Sequence, residues 1–178
     1  MFRAWRRLDQ PGLETLRLTR AGEGWRAQSL IVDGGETPFG MSCDWRLDTL
    51  WRSLRVRLDL FDANGEHALE IERAGPDAWL VNGEARPDLE GCLEVDVSAT
   101  PFCNGLALRR LGREPGELTA LYVLAPELSV QPSRQRYERA GENWRYVDLG
   151  AAKGFTAVLR FDDDLIVRDY EGLFEALD

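Results

Sequence analysis

The chain has 178 residues, of which 44% are hydrophobic and 30% charged, a composition that suits one soluble domain with its own core. Its formal net charge of −9 argues against general nucleic-acid binding, because phosphate backbones repel a protein of this charge. No apolar run reaches the roughly 20 residues of a membrane-spanning helix, and none follows the basic start, so we expect a single cytoplasmic domain over residues 1–178.

The first half of the chain predicts antiparallel strands joined by hairpins. Segment 13–20 alternates, with Leu16 and Leu18 on one face and Arg17 on the other. The clearest strand spans residues 51–61, and four of its apolar side chains should face the interior: Leu54, Val56, Leu58 and Leu60. Further strands are predicted at residues 25–32, 39–47, 68–73, 79–81 and 85–86.

Residues 94–112, with the sequence EVDVSATPFCNGLALRRLG, predict a short strand that leads directly into a helix. Thr100 is suited to the N-cap of this helix, and Gly112 to its C-terminal end. The helix is apolar nearly all round, which indicates that it is buried at the centre of the protein. It also carries Arg109 and Arg110, and buried arginines need carboxylate or carbonyl partners.

The chain after the helix predicts a second series of strands, followed by a helical C-terminus. The strands are predicted at residues 118–124, 128–139, 145–149, 155–161 and 165–170. The last segment, 171–177, predicts one or two helical turns. Segment 128–139 is polar and basic, which favours an edge strand that either binds a partner protein or remains solvated.

A short pattern recurs three times, in which Arg-Ala-Gly ends one strand and a tryptophan begins the next. It occurs at residues 20–25, 73–79 and 139–144. One interpretation is a duplicated unit whose tryptophans line one concave surface; the other is a favourable hairpin turn used repeatedly. Both interpretations predict a meander of hairpins within a single, mainly β (α+β) domain.

Residues 100–112, TPFCNGLALRRLG, resemble the TPFTNTLPIRRLGL-type signature of the putative glycolipid-binding family, an uncharacterised bacterial family of domains of about this length. Three positions replace threonine, threonine and proline of the signature: Cys103, Gly105 and Ala107. Supporting matches lie along nearly the whole chain, at Trp5, Cys43 to Arg46, Trp79, Gly91, Cys92, Val95, Asp96, Gln135, Tyr137, Tyr146, Asp162 and Tyr170. The resemblance implies a curved antiparallel sheet, similar to a half-barrel, that wraps around the central helix.

The concave side of such a sheet suits an amphipathic ligand, and we expect a glycolipid or a fatty-acyl compound there. Aromatic faces would be supplied by Trp45, Trp79, Tyr137 and Tyr146. The head group would be bound by Asp96, Asn104, Arg109 and Arg110. Alternatively, the two arginines are structural and hold the sheet to the helix by pairing with Asp44, Asp96 or Asp162.

The residues favour a non-enzymatic binder without a cofactor. Three cysteines with no CxxC pair, together with the single histidine His67, argue against a disulfide framework and against a metal site. Nothing in the local sequence orients Cys103 and His67 as a catalytic dyad. Convergence of Asp44, Asp96 and Asp162 would allow acid–base hydrolysis of a glycoside, which is the less favoured alternative.

Overall fold

Fifteen β-strands form one continuous curved sheet in the computed structural model, which describes residues 1–177. The first eight strands are β1 (Phe2–Arg7), β2 (Gly12–Ala21), β3 (Gly24–Asp33), β4 (Phe39–Leu47), β5 (Ser53–Asp62), β6 (Gly65–Arg73), β7 (Trp79–Val81) and β8 (Glu84–Ala85). The helix α1 (Phe102–Arg110) separates β9 (Glu94–Val97) from β10 (Gly116–Leu124). The chain ends with β11 (Ser129–Ala140), β12 (Asn143–Asp148), β13 (Thr156–Phe161), β14 (Val167–Tyr170) and β15 (Phe174–Leu177).

The order of the strands shows how the two halves of the chain build the sheet. It runs from β8 back to β1, and then from β15 back to β9, so that β8 and β9 are the two edges of an unclosed sheet. The halves join where β1 pairs with β15. Neighbouring strands among the described residues are antiparallel except for β9 and β10, which α1 connects as a parallel pair. The predicted mainly β fold, with a curved sheet and one helix, is confirmed.

The helix α1 lies inside the curve of the sheet, as its apolar sequence predicts. Residues 102–108 are all buried, and the Phe102 ring packs edge-on against Trp45 of β4 with 5.6 Å between the ring centroids. The predicted N-cap is wrong by one residue, because Pro101 caps the helix while the Thr100 hydroxyl accepts a hydrogen bond from the Phe102 amide at 3.2 Å. At nine residues, α1 is far too short to cross a membrane, and residues 1–177 contain no longer helix.

The predicted helical turns at 171–177 are wrong, because this segment forms β15. Gly172 has a φ of +75° and turns the chain, and Phe174 then packs into the core at 4% exposure. β15 fills the gap between β1 and β14, where its backbone groups pair on both sides. A helix of seven residues has little intrinsic stability, so pairing with the free edges of β1 and β14 determines the conformation of this segment.

The predicted edge strand at 128–139 is also wrong, because β11 is an interior strand. It pairs with β10 from Gly116 to Leu124 and with β12 on its other side. Its outward-facing cations bind a neighbouring acid on β10, with Arg134 donating to Glu117 at 2.8 Å. The polarity of this segment therefore belongs to the solvated outer face of the sheet, and no free backbone edge remains there for a partner protein.

A register shift changes the start of β5. Arg46 pairs with Arg55 but Leu47 pairs with Ser53, so Leu54 is the extra residue of a bulge and is 45% exposed rather than inward-facing as predicted. Val56, Leu58 and Leu60 are buried as predicted. Ser53 is buried instead, and its amide donates to the Glu94 carboxylate of β9 at 3.2 Å. The bulge thereby creates a contact between β5 and the distant edge strand, which keeps the sheet curled.

The three Arg-Ala-Gly…Trp repeats form the same hairpin contact. In each repeat, the arginine and the tryptophan are opposite each other on paired strands, and the guanidinium stacks over the indole ring. The distances to the ring centroids are 3.9 Å for Arg20 on Trp25, 4.1 Å for Arg73 on Trp79 and 4.0 Å for Arg139 on Trp144. These contacts support the interpretation of one favourable hairpin used repeatedly, because each tryptophan stacks with the arginine of its own hairpin.

The Arg20–Trp25 pair offers a test of this hairpin contact. Arg20→Ala should lower the free energy of unfolding by about 0.5–1 kcal/mol, the size of an exposed cation–π contact. A double-mutant cycle with Trp25→Leu, followed by chemical denaturation, should assign most of this loss to the pair. Arg17→Ala is the control, because Arg17 is an exposed arginine on the same strand and makes no cation–π contact within residues 1–177. A coupling energy near zero would contradict the proposed role of the repeat.

Candidate functional site

A cavity of about 480 Å³ lies beside the start of α1, where side chains from both halves of the sheet meet. Its volume is within the range of small-molecule sites, about 300–1,000 Å³. The first half of the chain contributes residues near the ends of β1, β3 and β4, among them Arg7, Asp33 and Phe39. The second half contributes Asp96, Asn104, Tyr122, Tyr146, Asp148, Phe155, Tyr170 and Phe174. The cavity therefore exists only in the folded sheet.

Two acidic side chains, Asp96 on β9 and Asp148 on β12, form the polar part of the cavity. Asp96 accepts hydrogen bonds from the Cys103 thiol at 2.9 Å and from the Gln135 amide. Asp148 is only 2% exposed, and it accepts from the Tyr146 hydroxyl at 3.1 Å and from the Gly150 amide at 2.7 Å. Burial raises the pKa of Asp96, and the charge of Asp148 raises it further, although the hydrogen bonds oppose the shift.

An aromatic cluster forms the apolar part of the same cavity. The Tyr146 and Tyr170 rings are 6.1 Å apart, and Tyr170 continues to Phe155 at 6.3 Å and to Phe174 at 6.2 Å. Tyr170 is 7% exposed, and its hydroxyl has no hydrogen-bond partner within residues 1–177. Burial raises the pKa of Tyr122 to about 12 and that of Tyr170 further still, so both phenols keep their protons and can donate hydrogen bonds.

The guanidinium of Arg7 is the cation in the wall of the cavity. It donates to Asp33 at 2.6 Å and to Asp9 at 2.8 Å, and it lies 5.5 Å from the centroid of the Phe174 ring. Gln10 donates to both oxygens of Asp33, at 2.6 and 2.7 Å. The charge of Arg7 is therefore already balanced by acids of the protein itself.

Three of the eight predicted site residues line this cavity: Asp96, Asn104 and Tyr146. Tyr137 lies directly behind them, because it is 1% exposed and its hydroxyl donates to the Asn104 side-chain oxygen at 3.0 Å. Trp45 and Trp79 are core residues at 0% and 1% exposure, and neither borders the cavity. The Trp79 indole instead donates to the Cys92 carbonyl at 2.9 Å.

The two predicted arginines lie outside the cavity. Arg109 stacks on Trp51 at 4.0 Å and donates to the Asp164 carbonyl, which ties the end of α1 to the loop before β14. Burial lowers the pKa of Arg109 to about 10, and the nearby Arg113 lowers it as well. The Nε of Arg110 is buried without a hydrogen-bond partner among residues 1–177. Arg109 is thus held by a carbonyl and an aromatic ring, and not by one of the three predicted aspartates.

The predicted carboxylate group also does not assemble. Asp44 binds Arg26, Asp162 binds Arg3 at 2.6 Å, and only Asp96 reaches the cavity. Cys103 hydrogen-bonds to Asp96, whereas the half-exposed His67 lies 3.4 Å from Asp62. Burial and the adjacent Asp96 both raise the pKa of the Cys103 thiol, which disfavours the thiolate form that a nucleophile needs. The described residues contain no cluster of metal-binding side chains.

Three residues that line the cavity were not predicted from the sequence: Asp148, which is the acidic neighbour of Asp96, Asp33 and Tyr122. A sequence signal existed for Asp148, because it lies on the same strand face as Trp144 and Tyr146, and both of these are buried.

A second groove of about 720 Å³ crosses the outer face of β3–β6 and is lined by exposed Leu30, Val32 and Phe61. It holds none of the predicted site residues.

Comparison with known proteins agrees with this architecture. The sequence model of the putative glycolipid-binding family matches residues 3–176. The structure is similar to the crystal structure of a DUF1089 family protein from Pseudomonas aeruginosa, with a TM-score of 0.79 and 30% sequence identity over 93% of this chain and 92% of that one. A comparison with curated proteins gives no match. The family match covers nearly the whole chain, so the protein belongs to the putative glycolipid-binding family.

Proposed function

We propose that the protein binds the sugar head group of a glycolipid-type ligand in the cavity beside α1. The observation that carries this proposal is the combination of aromatic rings packed edge to face and hydrogen-bonding groups in one cavity. A sugar ring has apolar C–H faces that pack on aromatic rings and hydroxyls that need polar partners. Tyr146 and Tyr170 supply the first kind of surface, and Asp96, Asn104 and Tyr122 supply the second.

The cavity also suits the apolar part of an amphipathic ligand. Besides the polar groups, it is bordered by Phe39, Leu124, Leu173 and the segment 125–126, Ala-Pro. These side chains would remain in contact with the first carbons of an acyl or alkyl chain attached to the sugar. Burial of each methylene group contributes about 0.8 kcal/mol, so even a short chain strengthens binding measurably.

Glycoside hydrolysis is the second candidate function, because Asp96 and Asp148 form an acidic pair and the pKa of Asp96 is raised. We favour binding, since all four oxygens of these two carboxylates already accept a hydrogen bond from the protein. These hydrogen bonds hold the Asp96 and Asp148 carboxylates in place as structural groups of the cavity wall. Release of free sugar from a panel of aryl glycosides, abolished by Asp96→Asn, would instead favour the hydrolase.

Native mass spectrometry of the purified protein, followed by lipid extraction, tests the proposed binding directly. We expect a bound amphipathic molecule that is released on denaturation. A protein that carries no ligand and binds no octyl glycoside in titration calorimetry would contradict the proposal.

Variants then locate the site. Tyr170→Phe and Asp96→Asn should each weaken the binding of an octyl glycoside about tenfold, the loss expected for one buried hydrogen bond to a ligand. Leu30→Ser is the matched control, because Leu30 is 65% exposed and lines only the outer groove. Weaker binding in Leu30→Ser, with unchanged binding in the cavity variants, would move the site to the outer groove.

A further inference from the structure

We propose that the head group bound in this cavity carries a protonated amine, as an amino sugar does, and that this amine lies against Asp96 and Asp148. The inference rests on the proposed function, since it names the chemical class of the ligand for the same cavity. It follows from the distribution of charge around the cavity, and it is independent of the family match.

The charges that border the cavity do not balance. Four acids line it, Asp33, Glu36, Asp96 and Asp148, against the single cation Arg7. Arg7 is committed to Asp33 and Asp9, at 2.6 and 2.8 Å. Within residues 1–177, neither Asp96 nor Asp148 forms an ion pair. Asp148 is buried and Asp96 is half-buried, and carboxylates withdrawn from water are normally paired, because an isolated charge loses its hydration without compensation.

The hydrogen bonds that Asp96 and Asp148 accept do not balance the negative charge of the two carboxylates. The donors to Asp96 are the Cys103 thiol and the Gln135 amide. The donors to Asp148 are the Tyr146 hydroxyl and the Gly150 amide, and all four donors are neutral. A carboxylate offers about four acceptor positions, so each aspartate still has capacity for a ligand. An ammonium group brings three donors and a positive charge, which is the combination that the pair lacks.

Two further features of the cavity point to the same kind of ligand. Tyr170 as a residue is only 7% exposed and it lines the cavity, and no side chain or backbone group of residues 1–177 forms a hydrogen bond with its hydroxyl, so this hydroxyl remains available to a sugar hydroxyl. The rings of Tyr146, Tyr170 and Phe155 pack beside the carboxylates, and their faces attract a cation as well as a sugar ring. Head groups with phosphate, sulfate or carboxylate would instead meet like charges at close range.

The test compares octyl glucosides that differ in one group: the 2-amino sugar, its N-acetyl derivative, the parent glucoside and the glucuronide. At pH 6.5, titration calorimetry should show the amino sugar binding at least tenfold more tightly than the N-acetyl and parent compounds, and the glucuronide binding least. Asp148→Asn should remove most of this preference while the parent glucoside still binds. Asp96→Asn should also reduce this preference, in addition to its tenfold weaker binding of the parent glucoside, and it serves as the second variant if Asp148→Asn does not fold.

The outcomes separate this inference from the proposed function. Equal or tighter binding of the parent glucoside or the glucuronide would overturn the amine and leave the sugar-binding cavity standing. Absence of binding for all four compounds would overturn the proposed function itself. A preference for the amino sugar that survives in both aspartate variants would place the amine elsewhere, and it would overturn the assigned contact.

Discussion

As the pH rises from 5 to 8, ionisation of Glu14 should lower the free energy of unfolding by about 3 kcal/mol, and Glu14→Gln should remove this part of the pH dependence. Glu14 is 2% exposed on β2, and burial raises its pKa from an ordinary value of 4.5 to about 8. Its Oε1 accepts a hydrogen bond from the Thr100 hydroxyl at 2.8 Å, whereas its Oε2 has no partner among residues 1–177. Its other neighbours, Ser29 and Cys43, carry no positive charge.

The sign of this pH dependence follows because Glu14 retains its proton in the folded state to a higher pH than in the unfolded state. Because the pKa is higher in the folded than in the unfolded chain, stabilisation by protonated Glu14 is complete below about pH 4.5 and is lost as the pH rises towards 8. Each pH unit within this window costs about 1.4 kcal/mol. Burial also raises the pKa values of Glu94 and Asp96, so their contributions to the pH dependence of stability have the same sign.

Urea denaturation of the wild type and of Glu14→Gln, at half-unit steps from pH 5 to pH 8, measures the contribution of Glu14 alone. The variant keeps the size of the side chain and an acceptor for Thr100, so the two proteins should be similarly stable at pH 5 and diverge above it. At pH 8 the variant should be the more stable by about 3 kcal/mol. Parallel pH profiles for the two proteins would show that Glu14 is not protonated in the folded state.

The second large effect is expected at Gly105, where α1 passes closest to the loop before β14. A Cβ atom at this position would lie 2.0 Å from the Leu165 carbonyl oxygen. The loop cannot retreat easily, because Asp162 accepts amide bonds from Asp164 at 3.0 Å and from Ile166 at 2.8 Å. Arg3 also holds Asp162 through an ion pair at 2.6 Å. The close approach therefore requires glycine.

Gly105→Ala should destabilise the protein by about 2 kcal/mol, since overpacking costs about 3 kcal/mol and the better helix propensity of alanine returns about 1. Gly105→Thr, which restores the threonine of the family signature, should cost more than about 3 kcal/mol. Thermal and urea denaturation measure both changes.

The control for these variants is Gly75→Ala. A Cβ at Gly75 would make an ordinary contact of 3.7 Å with Ala78, so stability should change by less than about 0.5 kcal/mol. A Gly105→Thr protein as stable as the wild type would mean that the loop before β14 moves freely, and it would remove the explanation for glycine at this position.

The alternation of apolar residues was sufficient to predict most of the strands and their buried faces. Leu16 and Leu18 are buried at 1% and 3% exposure because β2 has a regular two-residue period. The same two-residue period places the ionisable side chain of Glu14 on the buried face, and the sequence alone does not explain why an acid lies there. Where the register shifts, as at Leu54, the alternation fails, because a bulge depends on the partner strand.

The candidate site was predictable only in part. Asp96 and Asn104 flank the start of a helix whose apolar sequence already indicates a central position. Asp148 and Asp33 come from strands far away in the sequence, and they reach the cavity only because β1 pairs with β15 and brings the two halves together. Trp45 and Trp79 show the opposite error, since a tryptophan in the core and one in a binding site have the same sequence pattern.

Local sequence patterns were therefore enough to predict the hairpins, the buried helix and the family to which the chain belongs. Those properties depend on local patterns of polarity and on turn residues, which are written along the chain. Three properties depend instead on the assembled sheet: residues 171–177 form a strand, β11 is an interior strand, and Asp96 and Asp148 line one cavity. Each of these depends on which backbone edge remains unpaired and on which distant side chains the curvature of the sheet brings together.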